Sequence, residues 1–231
     1  MRDTVTLFRK ELQEVTGDRH SFRGALVQAA ITIGITGILV PATDPNLWST
    51  VTTPMMLFMV FPSTLAATMA ADSFAGENER GTLETLLATP LSDGSIFLGK
   101  TAAAAAFSIV VAMASLAAAF TTELVRGLLP QHFAPISFLG IIGGAVAGAG
   151  LIAALVAIIS LKLTVARSAQ QVGSFLTFAF AFLTIFALRR LGVGLEWSTI
   201  LWADAVVGFV ALLGVFTGMR LFHRDRFFEK R

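Results

Sequence analysis

Cysteine is absent from this 231-residue sequence, and histidine occurs only three times. The absence of cysteine excludes disulfides, thiolate nucleophiles and cysteine metal sites. His20, His132 and His223 all lie outside the long apolar runs, so a histidine cluster within those runs is excluded as well. We therefore expect this chain to hold no metal.

Charge is also scarce, since Asp, Glu, Lys and Arg make up 14% of the residues against 55% hydrophobic residues. Such a composition cannot cover the surface of a soluble fold with polar groups, and long apolar runs cross bilayers as helices. We predict an all-α membrane protein. Its length fits one domain and no linker divides it, so residues 1–231 are expected to form a single transmembrane domain.

A bilayer crossing needs about 20 mostly apolar residues, and six stretches meet that requirement. The fifth is short or re-entrant at its far end, because Arg189 and Arg190 interrupt it. A re-entrant turn would lie at residues 189–198. The six predicted spans are 24–42, 50–71, 96–121, 135–161, 172–188 and 199–222.

The first 23 residues are too polar to cross a bilayer. Apolar residues recur there at steps of three and four, with charged residues on the other side, which predicts an amphipathic helix lying at the membrane surface. Such a helix anchors the chain and can also contact a cytoplasmic partner. The apolar set is Val5, Phe8, Leu12 and Val15, and the charged set is Arg9, Lys10, Glu11 and Glu14.

Lysine and arginine concentrate in the connections on one side of the predicted spans. Of the 17 such residues, all but Arg126, Arg189 and Arg190 lie on the side of the N-terminus. Basic residues favour the cytoplasmic side, so both termini and the polar stretch 76–100 are predicted to be cytoplasmic. The three tryptophans fall at the opposite ends of spans, where indole rings favour the membrane interface.

Two spacing patterns within the spans favour helix contacts. Glycines at four-residue steps let helix backbones approach closely, either within the chain or in a seam with a second copy. Phenylalanines along one side of the fifth span pack, contact lipid or line a pathway. The glycines are Gly140, Gly144, Gly148, Gly214 and Gly218, and the phenylalanines are Phe175, Phe178, Phe182 and Phe186.

A literal match to the phosphate-loop pattern GxxxxGK[ST] runs from Gly94 to Thr101. A phosphate loop follows a buried strand and leaves backbone amides free to face phosphate. This stretch instead carries three large apolar residues inside the supposed loop and leads into a predicted span. We therefore expect no nucleotide site there, and we expect Lys100 to extend to the inner membrane interface.

Catalytic chemistry is not indicated either. The sequence lacks GxSxG and places no histidine in a span, so an intramembrane nucleophile and its base are missing. The basic residues lie where topology alone would put them, which gives no support for nucleic-acid binding. We expect no catalytic residues.

The one long polar interruption of the apolar sequence covers residues 76–100, GENERGTLETLLATPLSDGSIFLGK. A helix is predicted over residues 78–88, after which Pro90 ends it and Ser92 or Asp93 caps the next span. An exposed apolar face on this helix would dock in a partner's groove; otherwise the helix merely connects two spans. The apolar face consists of Leu83, Leu86 and Leu87.

The same stretch resembles the signature of permease subunits of the type-2 ABC transporter family. In that family a glutamate-rich start leads to GTLE, two leucines, a threonine- or serine-proline pair and GK at the next span, as in GENERGTLETLLATPLS and GK here. Looser similarity covers residues 9–12 and 167–171. The resemblance implies six transmembrane helices, an N-terminal amphipathic elbow helix at 1–23, and a cytoplasmic coupling helix at 76–92 between spans two and three.

The function that this resemblance implies is that of a permease subunit of an ATP-driven ABC exporter in the plasma (inner) membrane of a bacterium or archaeon. The translocation pathway would form with a second permease copy, identical or related. Two copies of a cytoplasmic ABC ATPase subunit would hold ATP and Mg, so this chain needs no cofactor. The residues carried over to the ATPase-coupling helix are Glu79, Arg80, Gly81, Thr82, Leu83, Glu84, Leu87 and Pro90.

Two alternatives stay open. The permease type used in cytochrome c maturation is similar in size and span count, but the GTLE and TPLS matches favour the export family. A secondary transporter or channel would use its own intramembrane charges, with Asp204 as the main candidate. Intramembrane acids are functional candidates, but their scarcity in span centres argues against this class. The sequence leaves the cargo open.

Overall fold

The computed structural model describes residues 2–17, 19–44, 52–127, 135–163, 165–190 and 197–222. Nearly all of these residues are helical and none forms a strand, which confirms the all-α class. Two π-helical segments, Gly34–Leu39 and Asp72–Gly76, follow α2 and α4. The α-helices are α1 (Arg2–Gly17), α2 (Arg19–Ile33), α3 (Val40–Thr43), α4 (Thr52–Ala71), α5 (Glu77–Arg80), α6 (Thr82–Leu87), α7 (Asp93–Val125), α8 (Pro135–Ser160), α9 (Ala166–Arg190) and α10 (Trp197–Leu221).

Five helical stretches in the described part of the chain are long and apolar enough to cross a membrane. They match the first, second, third, fourth and sixth predicted spans, which supports a multi-pass membrane protein. The fifth predicted span lies within α9, which is not one of the five, so the count of six stays a prediction. The five stretches are Arg23–Thr43, Thr53–Arg80, Asp93–Val125, Phe138–Ser160 and Ile200–Leu221.

The basic pair at the end of the fifth predicted span does not break its helix. The helix α9 includes both arginines and ends at Arg190, so the expectation of a short or re-entrant fifth span stays a prediction. Residues 191–196, which hold most of the expected re-entrant turn, lie outside the described residues.

The helices α4 and α8 form the centre of the bundle. Their mutual contact is the most extensive in the described part, followed by the contact of α8 with α10. The core between them is rich in alanine, with Ala66, Ala70 and Ala153 fully buried. Small side chains at these positions allow the close backbone approach that holds helices together in lipid.

The predicted glycine steps lie at helix contacts within the chain. A Cβ on Gly148 of α8 would stand 2.7 Å from Met59 Cγ of α4, and a Cβ on Gly218 of α10 would collide with the ring of Phe97 on α7. These contacts support the intrachain role of the pattern. Gly140 is buried as well. The other close contacts are Gly144 with Asp204 and Gly214 with Ala154.

The phenylalanine stripe of α9 faces away from the bundle. Phe175 and Phe182 are 74% and 72% exposed, and Phe178 and Phe186 are exposed as well. The four rings therefore lie mostly outside the core of the described bundle.

Candidate functional site

The α5–α6 segment, defined as residues 77–92, consists of two short helices and a turn. The helix α5 ends at Arg80, and Gly81 then takes a left-handed conformation with φ of 71° before α6 begins at Thr82. Glycine adopts this conformation without steric cost. The prediction of one helix over 78–88 is therefore wrong, because the backbone turns at Gly81.

Two leucines of α6, Leu83 and Leu86, face inward. Leu83 is 3% exposed and Leu86 is 8% exposed, and they join a buried cluster with Leu7 of α1 and Phe97 of α7. The predicted exposed leucine face is wrong for these two residues, because the bundle itself buries their apolar surface. The side chains of Glu84 and Leu87 lie outside the described part of the structure.

The exposed side of the segment is small and polar. We call it the outer ridge, and five of the eight residues carried over from the family signature lie on it. Leu83 instead lies beneath it, where it fixes the position of α6. The outer ridge consists of the exposed residues Glu79, Arg80, Gly81, Thr82, Thr85, Ala88 and Pro90.

Polar contacts tie the outer ridge to neighbouring elements. Arg80 Nη1 lies 3.2 Å from Asp72 Oδ1 in the second π-helical segment. A carboxylate oxygen of Glu79 accepts a hydrogen bond of 2.9 Å from the backbone N–H of Ala166, the first residue of α9. The first N–H groups of a helix have no partner within the helix, so Glu79 satisfies one of them. The ridge is thereby attached to both the second π-helical segment and α9.

A buried ion cluster lies beneath the segment. Lys100 of α7 is fully buried, and its Nζ donates to Glu11 Oε1 of α1 at 2.6 Å. The same Nζ lies 2.8 Å from Glu77 Oε1, at the start of α5. The expectation that Lys100 extends to the membrane interface is therefore wrong, because two carboxylates hold its ammonium inside the protein. Burial removes water from the ammonium, so the charge is tolerable there only because it is paired.

Further groups complete this cluster. Ser73 Oγ donates to the second carboxylate oxygen of Glu11 at 3.2 Å, and the Phe74 ring centroid lies 5.9 Å from the Lys100 ammonium, within the range of a cation–π contact. Glu77 Oε2 is buried with no hydrogen-bond partner. Sequence reasoning missed this cluster because Glu11 and Lys100 are 89 positions apart and each lies within a locally plausible interface pattern.

The stretch that matches the phosphate-loop pattern is part of α7, which begins at Asp93. Ser92 caps this helix by accepting from the backbone N–H of Ser95 at 3.3 Å, which confirms one of the two predicted caps. The amides of Ser95 and Ile96 bond to Ser92 and the later ones bond to the preceding turn, so the stretch does not form a loop that could cradle phosphate. Gly99 instead admits Leu7 of α1, since a Cβ there would stand 3.0 Å from the leucine side chain.

A cleft of about 1200 Å³ opens between α1, α2, α4 and the α5–α6 segment. Its wall includes Glu11 and Glu77 of the ion cluster and Arg80 and Thr85 of the outer ridge. The cleft therefore separates the N-terminal helices from the ridge on one side, while the ion cluster joins them at its base.

A family model described as "ABC-2 family transporter protein" matches residues 21–184, which include α4, the whole α5–α6 segment, α7 and α8. No curated protein matches the chain.

Proposed function

Since this chain belongs to the ABC-2 transporter family, we propose that it is the permease subunit of an ATP-driven exporter. Family membership supports the role of a membrane transport subunit. In the proposed complex the chain forms the translocation pathway with a second permease copy, and separate cytoplasmic ATPase subunits hold ATP and Mg. The outer ridge receives the movement of the ATPase and acts as the coupling surface.

The observation that carries this proposal is the construction of the outer ridge. Its residues are exposed, while Leu83 and Leu86 beneath them are buried in the bundle. A partner that pushes on the ridge therefore pushes on side chains packed against α1 and α7. The recognised surface is polar, so shape and hydrogen bonding, more than apolar burial, select the partner.

The distribution of basic residues supports a cytoplasmic position for the ridge. All but three of the 17 lysines and arginines lie on one side of the predicted spans, which is the cytoplasmic side by the positive-inside rule. In this orientation α1 lies at the inner membrane surface as an elbow helix, with Leu7 and Glu11 turned toward the bundle.

The helical state of residues 94–101 supports the assignment of ATP hydrolysis to a partner. The one sequence match to a nucleotide site lies in a helix whose lysine is already paired with two carboxylates. We propose that this chain contributes no group to ATP hydrolysis.

Co-purification with an ABC ATPase tests the coupling surface. The chain is expressed with the ATPase encoded beside it, and the ATPase recovered with the permease is measured for Thr85→Arg on the ridge. We expect at least a 10-fold loss of bound ATPase, about 1.4 kcal/mol of binding free energy, because an arginine side chain holds the partner off the ridge.

Thr121→Arg is the matched control, since Thr121 is an exposed threonine near the opposite end of α7. It should leave the recovered ATPase unchanged. Equal recovery with both variants would remove the outer ridge from the coupling interface. Transport that runs on an ion gradient without any ATPase would instead favour the secondary-transporter alternative.

A further inference from the structure

We propose that Lys100 is a positioning residue for the outer ridge. Together with Glu11 and Glu77 it joins α1, the α5–α6 segment and α7 into one unit that moves as a body when a partner acts on the ridge. The inference rests on the proposed function for the meaning of that movement, but the union of the three elements is a property of this chain alone.

Each member of the cluster comes from a different element. Glu11 lies on α1, Glu77 begins α5, and Lys100 lies in the second turn of α7. All three are buried, and the ammonium lies 2.6 Å from one carboxylate and 2.8 Å from the other. No two of these residues share a helix, so every ion pair is also a contact between elements.

The burial of the cluster makes it a strong link. Moving either carboxylate away from Lys100 would leave a buried charge without its partner, which is far more costly than separating an exposed pair. The exposed Arg80–Asp72 pair, at 3.2 Å, can instead exchange its partner for water at little cost. Small displacements of the ridge are therefore passed on by the buried cluster.

An apolar contact joins the same elements one residue away. Leu7 of α1 lies against Gly99 of α7 and shares a buried cluster with Leu83 and Leu86 of α6. Apolar packing holds α1, α6 and α7 together without fixing their relative orientation as ion pairs do. The ion pairs therefore fix the relative orientation of the three elements, and the packed leucines hold them in contact.

The absence of cysteine allows the unit to be probed with spin labels. Labels are placed at Val5→Cys on α1 and Val110→Cys on α7, which are 52% and 64% exposed. The distance distribution is compared between the parent and Lys100→Met. It is also measured in the triple variant Glu11→Gln, Glu77→Gln and Lys100→Met, in which no buried charge is left unpaired. The triple variant keeps the experiment decisive if Lys100→Met does not fold.

We expect a narrow α1–α7 distance distribution in the parent and a broad one in the triple variant. In the complex with the ATPase, the triple variant should still co-purify, since the ridge is unchanged. The permease's stimulation of the ATPase, measured as the rate of ATP hydrolysis in the complex relative to the ATPase alone, should fall about 5-fold or more. This is the size of a typical coupling between sites.

Arg126→Gln is the control. Arg126 ends α7 at its other end and donates to the Pro41 carbonyl at 2.7 Å, so this variant also loses a contact between elements. It should leave the distances and the stimulation unchanged. A triple variant with the parent's narrow distribution and full stimulation would overturn the inference. If no ATPase binds even the parent, the proposed function fails, and the label distances of the isolated permease still decide whether Lys100 joins the three elements.

Discussion

Single contacts at glycines decide how closely the helices of this bundle approach. At Gly218 of α10 any Cβ would enter the ring of Phe97, which is fully buried between Phe74 and Phe222. The Phe97 ring centroid lies 5.5 Å from that of Phe74 and 6.3 Å from that of Phe222, so the ring is closely packed. The glycine is required by its neighbour on another helix.

We predict that Gly218→Ala destabilises the protein by about 1–3 kcal/mol, the usual cost of overpacking a filled core. The measurement is the thermal unfolding midpoint of the purified protein in detergent. Gly24→Ala is the matched control, because a Cβ at Gly24 meets nothing within 4 Å. It should be neutral or stabilising by about 1 kcal/mol, since alanine favours a helix more than glycine does. Equal effects at the two positions would contradict the contact.

Lys100 shows what sequence patterns omit at this scale. A lysine at the start of an apolar run is typical of an interfacial residue, and nothing within its own window predicts burial. The observed burial depends on Glu11, 89 positions away. Pairing across such a separation follows from the packing of α1 on α7, which a local pattern does not encode.

Among the helices, the break at Gly81 has the clearest consequence. It lets α5 carry Glu77 toward Lys100 while α6 turns Leu83 into the core. A continuous helix would fix the angle between these residues by its own period.

We predict that Gly81→Ala destabilises the turn by about 1–2 kcal/mol. A Cβ there meets no neighbour within 4 Å, but the φ of 71° is unfavourable for alanine. Hydrogen exchange should rise over residues 77–87 while α8 keeps its protection. Gly94→Ala serves as the control, because Gly94 has no positive φ and only an ordinary contact at 3.7 Å. Unchanged exchange in Gly81→Ala would show that the turn tolerates a side chain.

Hydropathy predicts the bounds of the long helices but not those of the short ones. The predicted spans 135–161 and 199–222 agree with α8 (Pro135–Ser160) and α10 (Trp197–Leu221) within two residues at each end, because lipid demands an unbroken run of apolar residues. The helices α5 and α6, of 4 and 6 residues, are comparable in length to the error of such patterns. The shape of the α5–α6 segment depends on one glycine and on burial by α1 and α7. The motif therefore predicts where the segment lies in the sequence but not its geometry.

The phenylalanines of the bundle include an exposed set and a buried set. Those of the α9 stripe face outward, with Phe182 72% exposed, whereas Phe97 is fully buried. The core is therefore complete without the stripe, whatever lipid or second copy covers it.

We predict that Phe97→Ala lowers the free energy of unfolding by about 3–5 kcal/mol, as large-to-small changes in a core do. Phe182→Ala should lower it by less than about 1 kcal/mol, since surface substitutions have small effects. Thermal unfolding in detergent measures both. A large loss in Phe182→Ala for the monomer would show that the stripe belongs to the core of this chain.

The second π-helical segment, Asp72–Gly76, has a consequence for how this site can change. A π-helical turn holds an additional residue compared with an α-helical one, and each residue rotates an α-helix by about 100°. Because the wider turn absorbs that residue, deleting Ala75 would restore an α turn and leave Glu77 on nearly the same side of the helix. Deleting Ala71 from α4 itself would instead rotate Glu77 by about 100°, away from Lys100. A one-residue deletion near this end of α4 is therefore compatible with the ion cluster only within the π-helical segment.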